Sequence, residues 1–348
     1  MSNIVINTTF TLSTDGQIEL IEMVNNLNKT ISQYGMGLIW LLGNIGSILM
    51  CIIFAQPTYR NSPCAMFFFA ASLSQFFTFN FALLTRMLHY GHSVLMFNSS
   101  LWYCKVRFYL FYIFVAIPRY YIILASIDRY FASSRNALRR RWSSPKTAHR
   151  LIIGNVLFWS IIYIQVLVFY EIESSQCTFR SGDYGIFFSI YIAIDSGILP
   201  LLLMSIFGLL TVRNIHKTKM RTTGSVGQGA KMSKKDLQLH RMLANQIVLF
   251  VILNLPNPIY LVYSSFTLNM SKSAVQNAAE SLGSNMTYFL VYLGFSLTFM
   301  NFMISSDIFR RECFHLFQTK ILRRFGVITT TSGQSAVLRM ARQNDTDV

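Results

Sequence analysis

The chain has 348 residues, of which 53% are hydrophobic and only 13% charged, and its formal net charge is +16. A soluble domain needs about 25% charged residues to coat its surface, so this composition excludes a water-exposed globular enzyme and points to a membrane protein sheathed in lipid. The positive charge does not indicate nucleic acid binding, because the basic residues lie between apolar runs rather than on a soluble domain.

Residues 1–33 are polar and lack a basic start followed by an apolar core, so no cleavable signal peptide is expected and the first span serves as the anchor. A helix needs about 20 mostly apolar residues to cross hydrocarbon. Seven stretches qualify, near Tyr34–Phe54, Cys64–Thr85, Cys104–Tyr130, Leu151–Tyr170, Tyr184–Val212, Met242–Phe266 and Leu282–Ser305. They predict an all-α membrane protein: a seven-transmembrane helix bundle over 34–306 behind an outer segment 1–33. A short amphipathic eighth helix and a cytoplasmic tail fill 307–348. Neither half of the chain repeats the other, which argues against an inverted-repeat transporter.

Lysine and arginine fix the expected orientation. Arg60, six residues within Phe131–Arg150, eight within Val212–Arg241 and seven from Asp307 onward fall on one side; Lys29, Arg180 and Lys272 fall on the other. The positive-inside rule then places the N-terminus outside, the C-terminus in the cytoplasm, and the protein in the plasma membrane. The glycosylation sequons at Asn7, Asn28, Asn98, Asn269 and Asn285 all fall on the expected outer side, and only Asn344 falls on the inner tail. Cys104 and Cys177 are also on the outer side, where a disulfide is allowed. The five cysteines include no CxxC pair, and His89 and His92 read as loop residues without further ligands nearby, so no metal site is expected. No catalytic set or cofactor motif is present.

Seven spans, the Cys104/Cys177 pair, and Asp128-Arg129-Tyr130 at the inner end of the third span, twenty-five residues after Cys104, together resemble rhodopsin-like G-protein-coupled receptors. The resemblance runs from about Tyr34 to Phe317. Gly43-Asn44, Trp159, Pro200, Phe250 with Pro256, and Phe309-Arg310 are similar to family positions in the first, fourth, fifth and sixth spans and the eighth helix. It implies a Cys104–Cys177 disulfide and a switch at Asp128, Arg129 and Tyr130. In the resting state Arg129 pairs with Asp128 and with Asp236 low on the sixth span. A ligand then frees it and opens a cleft for a heterotrimeric G protein. The alternative for Arg129 is a cation snorkelling at a helix end.

The departures are as informative. Gln75 stands where the family has an aspartate, so sodium binding in the bundle is not expected. Asn254 replaces the sixth-span tryptophan, and Thr298 to Phe302 replaces the seventh-span NPxxY, which opens the way to constitutive or altered activation.

Arg119 is peculiar to this chain. At 1.5 Å per residue it lies about 22 Å from Cys104 and about 15 Å from Arg129, so neither interface is within easy reach. An ionisable group at that depth is usually paired and functional. Asp195 on the fifth span is the expected partner, with Gln75 and Asn254 completing a polar cluster; the alternative is Arg119 held by backbone carbonyls beside Pro118.

A ligand pocket is expected between the third, fifth, sixth and seventh spans, where Phe111 replaces the aspartate of amine receptors. Tyr112, Asn257, Tyr260, Tyr288 and Tyr292 are candidate walls. Arg86, Lys105 and Arg107 at the rim suit an anionic ligand or an acidic peptide, unless they meet Glu171, Glu173 and Asp183 or lipid headgroups. On the inner side, Thr329–Ser332 is a phosphorylation candidate for arrestin, and Cys313 is a palmitoylation candidate or else an unmodified core-facing thiol. Thr346-Asp347-Val348 fits a PDZ ligand. The chain therefore reads as a receptor for an extracellular ligand, with a neuropeptide as the expected one, acting through G proteins. A chemosensory receptor for small molecules is the alternative, and a seven-span transporter or channel is the different class.

Overall fold

Lipid offers the backbone no hydrogen-bond partner, so a chain that crosses it must satisfy its own N–H and C=O groups, and the apolar stretches fold as helices. The computed structural model describes residues 14–94, 100–134, 136–173, 176–180, 182–222, 234–267 and 270–318. Seven helices are long and apolar enough to cross a membrane. They are α1 (Asp15–Phe54), α2 (Pro63–His92), α3 (Leu101–Ala132), α4 (Pro145–Phe169), α5 (Asp183–Asn214), α6 (Lys234–Phe266) and α7 (Ala274–Ser305). The shorter α8 (Asp307–Leu316) comes next.

The structure begins α1 well before Tyr34. The extra turns are amphipathic: Leu20, Ile21, Val24 and Asn28 share the less exposed face, which packs against α7. Likewise α2 runs on to His92, so His89 and His92 belong to its last turn and not to a loop. Between α4 and α5, β1 (Tyr170–Glu173) and β2 (Gln176–Phe179) form an antiparallel hairpin with Ile172 opposite Cys177. Cys177 is bonded to Cys104 near the start of α3, which ties the hairpin over that end of the bundle. We call this the disulfide end, and the opposite one the Arg129 end.

α3 is the axis of the bundle and touches α2, α4, α5 and α6. It passes Pro118 without a break, whereas α6 is interrupted between Asn254 and Pro256, a proline that cannot donate to the ladder. Wide π-helical turns interrupt α1 at Ile31–Gly35, α2 at Thr78–Leu83 and α5 at Ile194–Ile198. Each inserts one residue into the helical count and rotates the rest of its helix about the axis. At the Arg129 end, Phe54, Phe68, Phe302 and Phe309 pack ring to ring, with centroids between 4.9 and 5.9 Å apart. Phe309 anchors α8 in this cluster, and the Ser306 hydroxyl caps α8 by accepting from the Phe309 N–H at 3.2 Å.

Two glycines permit close helix approaches. A Cβ on Gly43 would run into the Phe79 ring of α2, and a Cβ on Gly197 would overlap Pro258 of α6. The Gly197→Ala variant therefore forces α5 and α6 apart, at a cost of about 1–3 kcal/mol for overpacking. Its unfolding temperature in detergent is expected to fall, while Gly154→Ala, whose added Cβ meets nothing within 4 Å, leaves it unchanged.

Candidate functional site

At the Arg129 end, the side chains of Asp128 and Arg129 are only 5% and 3% exposed. The Arg129 Nη2 and Nε donate to Asp128 Oδ2 at 2.7 and 3.0 Å. Ser143, in the turn before α4, donates to the other Asp128 oxygen at 2.6 Å. A third bond runs from Arg129 Nη1 to Asp236 Oδ1 of α6 at 3.0 Å. The two pairs differ in strength. Removing one partner of a buried pair costs about 3–5 kcal/mol. Asp236 is 42% exposed, and a solvent-screened pair of that kind is worth about 0–1 kcal/mol. The bond that joins α3 to α6 is thus the weak one. Tyr130 packs beside Phe207 of α5, with ring centroids 5.8 Å apart. A cleft at this end is lined by Arg129, Asp236, His240 and Arg140.

A polar seam beside it joins α6, α7 and α8. Gln246 Nε2 donates to Thr298 Oγ1 at 3.2 Å, and Asn301 Nδ2 returns a bond to Gln246 Oε1 at 2.9 Å. Asn245 donates to Ser305 at 2.7 Å, and Gln238 accepts from the Ser306 hydroxyl and the Ile308 N–H at 2.7 and 2.9 Å. Thr298 and Asn301 belong to the stretch that stands in place of NPxxY, whereas Gln238, Asn245 and Gln246 carry no family motif. Their signal was available: Gln238, Asn245 and Gln246 lie seven and eight residues apart, a single face of a helix otherwise headed into lipid.

The expected Arg119–Asp195 ion pair does not form. Asp195 accepts from the hydroxyls of Tyr120, at 2.7 Å, and Tyr163 of α4. Successive residues on a helix diverge by about 100°, from 3.6 residues per turn, so Tyr120 faces Asp195 and Arg119 turns inward. The π-helical turn holds Asp195 as well, which removes it from the position that α-helical counting back from Pro200 assigns. Nor do Gln75 and Asn254 bond Arg119; the Arg119 Nε, Gln75 Oε1 and Asn254 Oδ1 are all buried without a hydrogen-bond partner. The Arg119 guanidinium lies 6.0 Å from the centroid of the Phe295 ring on α7.

Towards the disulfide end, a narrow cavity is lined by Phe111, Tyr112, Arg119, Tyr163, Asn257 and Tyr288 together with Val115, Ala116, Ile192 and Ser196. Four expected pocket residues, Phe111, Tyr112, Asn257 and Tyr288, therefore meet there. Tyr260 and Tyr292 do not line it: the Tyr260 hydroxyl donates to the Glu280 carbonyl at 3.0 Å, and Tyr292 is fully buried. Tyr170 of β1 lies behind this wall and meets the Tyr112 hydroxyl with its own at 2.7 Å. Burial holds the Tyr170 phenol well above its ordinary pKa, so it stays neutral. Arg86 stacks on Tyr288, 4.1 Å from its centroid, and donates to Asn285 at 2.9 Å; Arg107 lies over Phe108 at 4.9 Å. Lys105 bonds the Val168 carbonyl, and Glu171 pairs with Arg180 rather than with these cations.

Three candidate modification residues fit the packing poorly. Asn28 and Asn285 are buried, and the Asn285 amide donates to Asn28 Oδ1 at 2.6 Å, so neither side chain is open to a glycan. Cys313 is buried against the aromatic cluster that holds Phe309, and burial pushes its thiol pKa up, both unfavourable to acylation. Asn7, Asn98, Asn269, Thr329–Ser332 and Thr346–Val348 lie outside the described residues.

Seven membrane-length helices tied by a disulfide, with a buried arginine clamped between acids at the other end, define a multi-pass membrane protein built as a seven-helix bundle. The model of the family described as 7 transmembrane receptor (rhodopsin family) matches residues 43–304, and the chain belongs to that family. A comparison with curated proteins finds no match.

The seam yields a stability test. Gln246→Ala leaves the buried Thr298 and the Asn301 amide short of a partner, and is expected to cost about 1–3 kcal/mol. The fall in unfolding temperature is expected to shrink in the Gln246→Ala/Asn301→Ala double variant relative to the sum of the single ones, because the two side chains share one bond.

Proposed function

We propose that the protein is a G-protein-coupled receptor of the plasma membrane, with the disulfide end outside and the Arg129 end in the cytoplasm. The distribution of basic residues supports this orientation. The observation that carries the reading is the asymmetric clamp on Arg129: a buried bond to Asp128 and a half-exposed one to Asp236 on α6. Breaking the weaker bond lets α6 part from α3 while Arg129 keeps a charge partner. The cleft bordered by Arg129, Asp236 and His240 then widens for a helix of a heterotrimeric G protein. Activation is a population shift between two packings of one bundle, and the ligand biases it by binding the open packing more tightly. Arrestin contact, a PDZ partner at the C-terminus and glycans at Asn7, Asn98 and Asn269 remain part of this proposal.

The ligand arrives at the disulfide end. A peptide that inserts one compact end is the reading we favour, because the cavity is narrow and the Arg86 cation lies against Tyr288 of its wall. The same narrowness supports a small chemosensory ligand as the second reading. With Phe111 at the position of the amine-binding aspartate, an aminergic ligand has no counter-ion there.

Basal G-protein signalling in cells with matched surface levels tests the switch. Asp236→Ala removes about 0.2–1 kcal/mol from the closed packing, which raises basal signalling by up to about fivefold. Arg129→Ala is expected to abolish it. Wild-type signalling that Arg129→Ala leaves intact overturns the reading.

A further inference from the structure

We propose that Arg119 anchors a carboxylate carried by the ligand, at the inner end of the cavity between α3, α5 and α6. The inference rests on the receptor reading and deepens it by naming the chemistry of the ligand. A buried cation with no counter-charge is among the least favourable arrangements a membrane interior can hold. Arg119 is 2% exposed, its Nε has no partner, and no salt bridge among the described residues reaches it. Nor is there a described acid left to give it. Among the described residues only Asp128 and Asp195 are buried acids. Asp128 belongs to Arg129, and Asp195 is close enough to attract Arg119 but bonds Tyr120 and Tyr163 instead.

The surroundings select the anion. Among the described residues Arg119 is the only charged one lining the cavity, and the Ser196 hydroxyl, which lines it too, is also buried without a partner. Two unsatisfied donors thus converge from α3 and α5. Phe111, Tyr112, Tyr163 and Tyr288 make much of the wall aromatic, and Val115, Ala116 and Ile192 add aliphatic surface. A guanidinium presents a planar fork that matches the two oxygens of a carboxylate. One such fork neutralises a single negative charge, and the space is tight, so a planar monoanion fits better than a tetrahedral phosphate dianion. The aromatic wall suits an apolar or aromatic body behind the carboxylate. Arg86, 4.1 Å from the centroid of the same Tyr288 ring, adds a second positive charge beside this wall and favours negative charge there. The carboxylate can come from a peptide, as its C-terminus, or from a small organic acid; the chemistry at Arg119 is the same.

The test uses the purified full-length protein and its thermal unfolding. It is titrated with sodium benzoate, with N-acetylphenylalanine as a mimic of a peptide C-terminus, with N-acetylphenylalaninamide, and with sodium chloride. One or both acids are expected to raise the unfolding temperature saturably, and the amide is not. The acid that acts at lower concentration assigns the source. Arg119→Met is expected to weaken the apparent affinity by about ten- to a hundredfold, the loss of a charge-assisted bond. Without added acid it is expected to unfold at or above the wild-type temperature, because it removes an unpaired charge. A second variant does not depend on losing the arginine. Val115→Asp places a carboxylate four residues before Arg119, on the same helix face and on the same cavity. It is expected to raise the unfolding temperature and abolish the response to acids.

No saturable protection by either acid overturns the proposal. So does equal protection by the amide, protection by chloride alone (an adventitious ion only), or undiminished protection in Arg119→Met. If Arg119→Met does not accumulate, undiminished protection in Val115→Asp overturns it. Acid binding at Arg119 without Arg129-dependent signalling would sink the receptor reading alone, and the reverse result would sink this site alone.

Discussion

Hydrocarbon accepts no hydrogen bond, and every polar group placed within it must find its partner in the protein itself. That constraint shapes each level of this chain. It makes the spans helical. It gathers Gln238, Asn245, Gln246, Thr298 and Asn301 into one seam, because none of them can face lipid unpartnered. It wraps Asp195 in two tyrosine hydroxyls and gives Arg129 two acids. Among the buried charges of the described residues, Arg119 is the one that breaks the rule.

The two arginines of α3 thus stand in opposite states. Arg129 is satisfied by the chain, once firmly and once loosely, and the loose bond spans the two helices that must separate for a cleft to open. Arg119 is not satisfied by the chain, and its deficit lies among residues of α3, α5 and α6. A deficit midway along a helix and a loosely held clamp near its end form a simple physical arrangement for transmission. Whatever relieves the first acts on the same helices that hold the second, with α3 as the shared axis.

The bundle was legible in the sequence because seven apolar stretches each have the length that crosses hydrocarbon. The pairing of Arg129 with Asp128 and Asp236 was legible because Asp128 and Arg129 are neighbours in the chain and Asp236 lies at a countable distance from Pro256. What failed to read was anything that depends on rotation about a helix axis. Arg119 and Asp195 have comparable depth, but depth alone does not say which way a side chain turns. The π-helical turn around Asp195 leaves no trace in hydropathy. The outward extension of α1 was hidden because its residues are amphipathic rather than apolar, and with it went the burial of Asn28 against Asn285. Cys313 illustrates the same limit: nearness to the membrane was visible, but the face of α8 that carries it was not.

The meeting of Gly197 and Pro258 has a mechanical consequence. The missing side chain lets α5 and α6 touch there, just beyond the break at Pro256 where α6 has no continuous ladder. Such a contact is a fulcrum. At 1.5 Å per residue, the arm from Pro258 down to Asp236 is about 33 Å long. Each degree of tilt about the fulcrum therefore sweeps Asp236 through about 0.6 Å. Rotations of a few degrees, too slight to disturb the packing near the cavity, are geared into a gap several ångströms wide at the far tip of the arm.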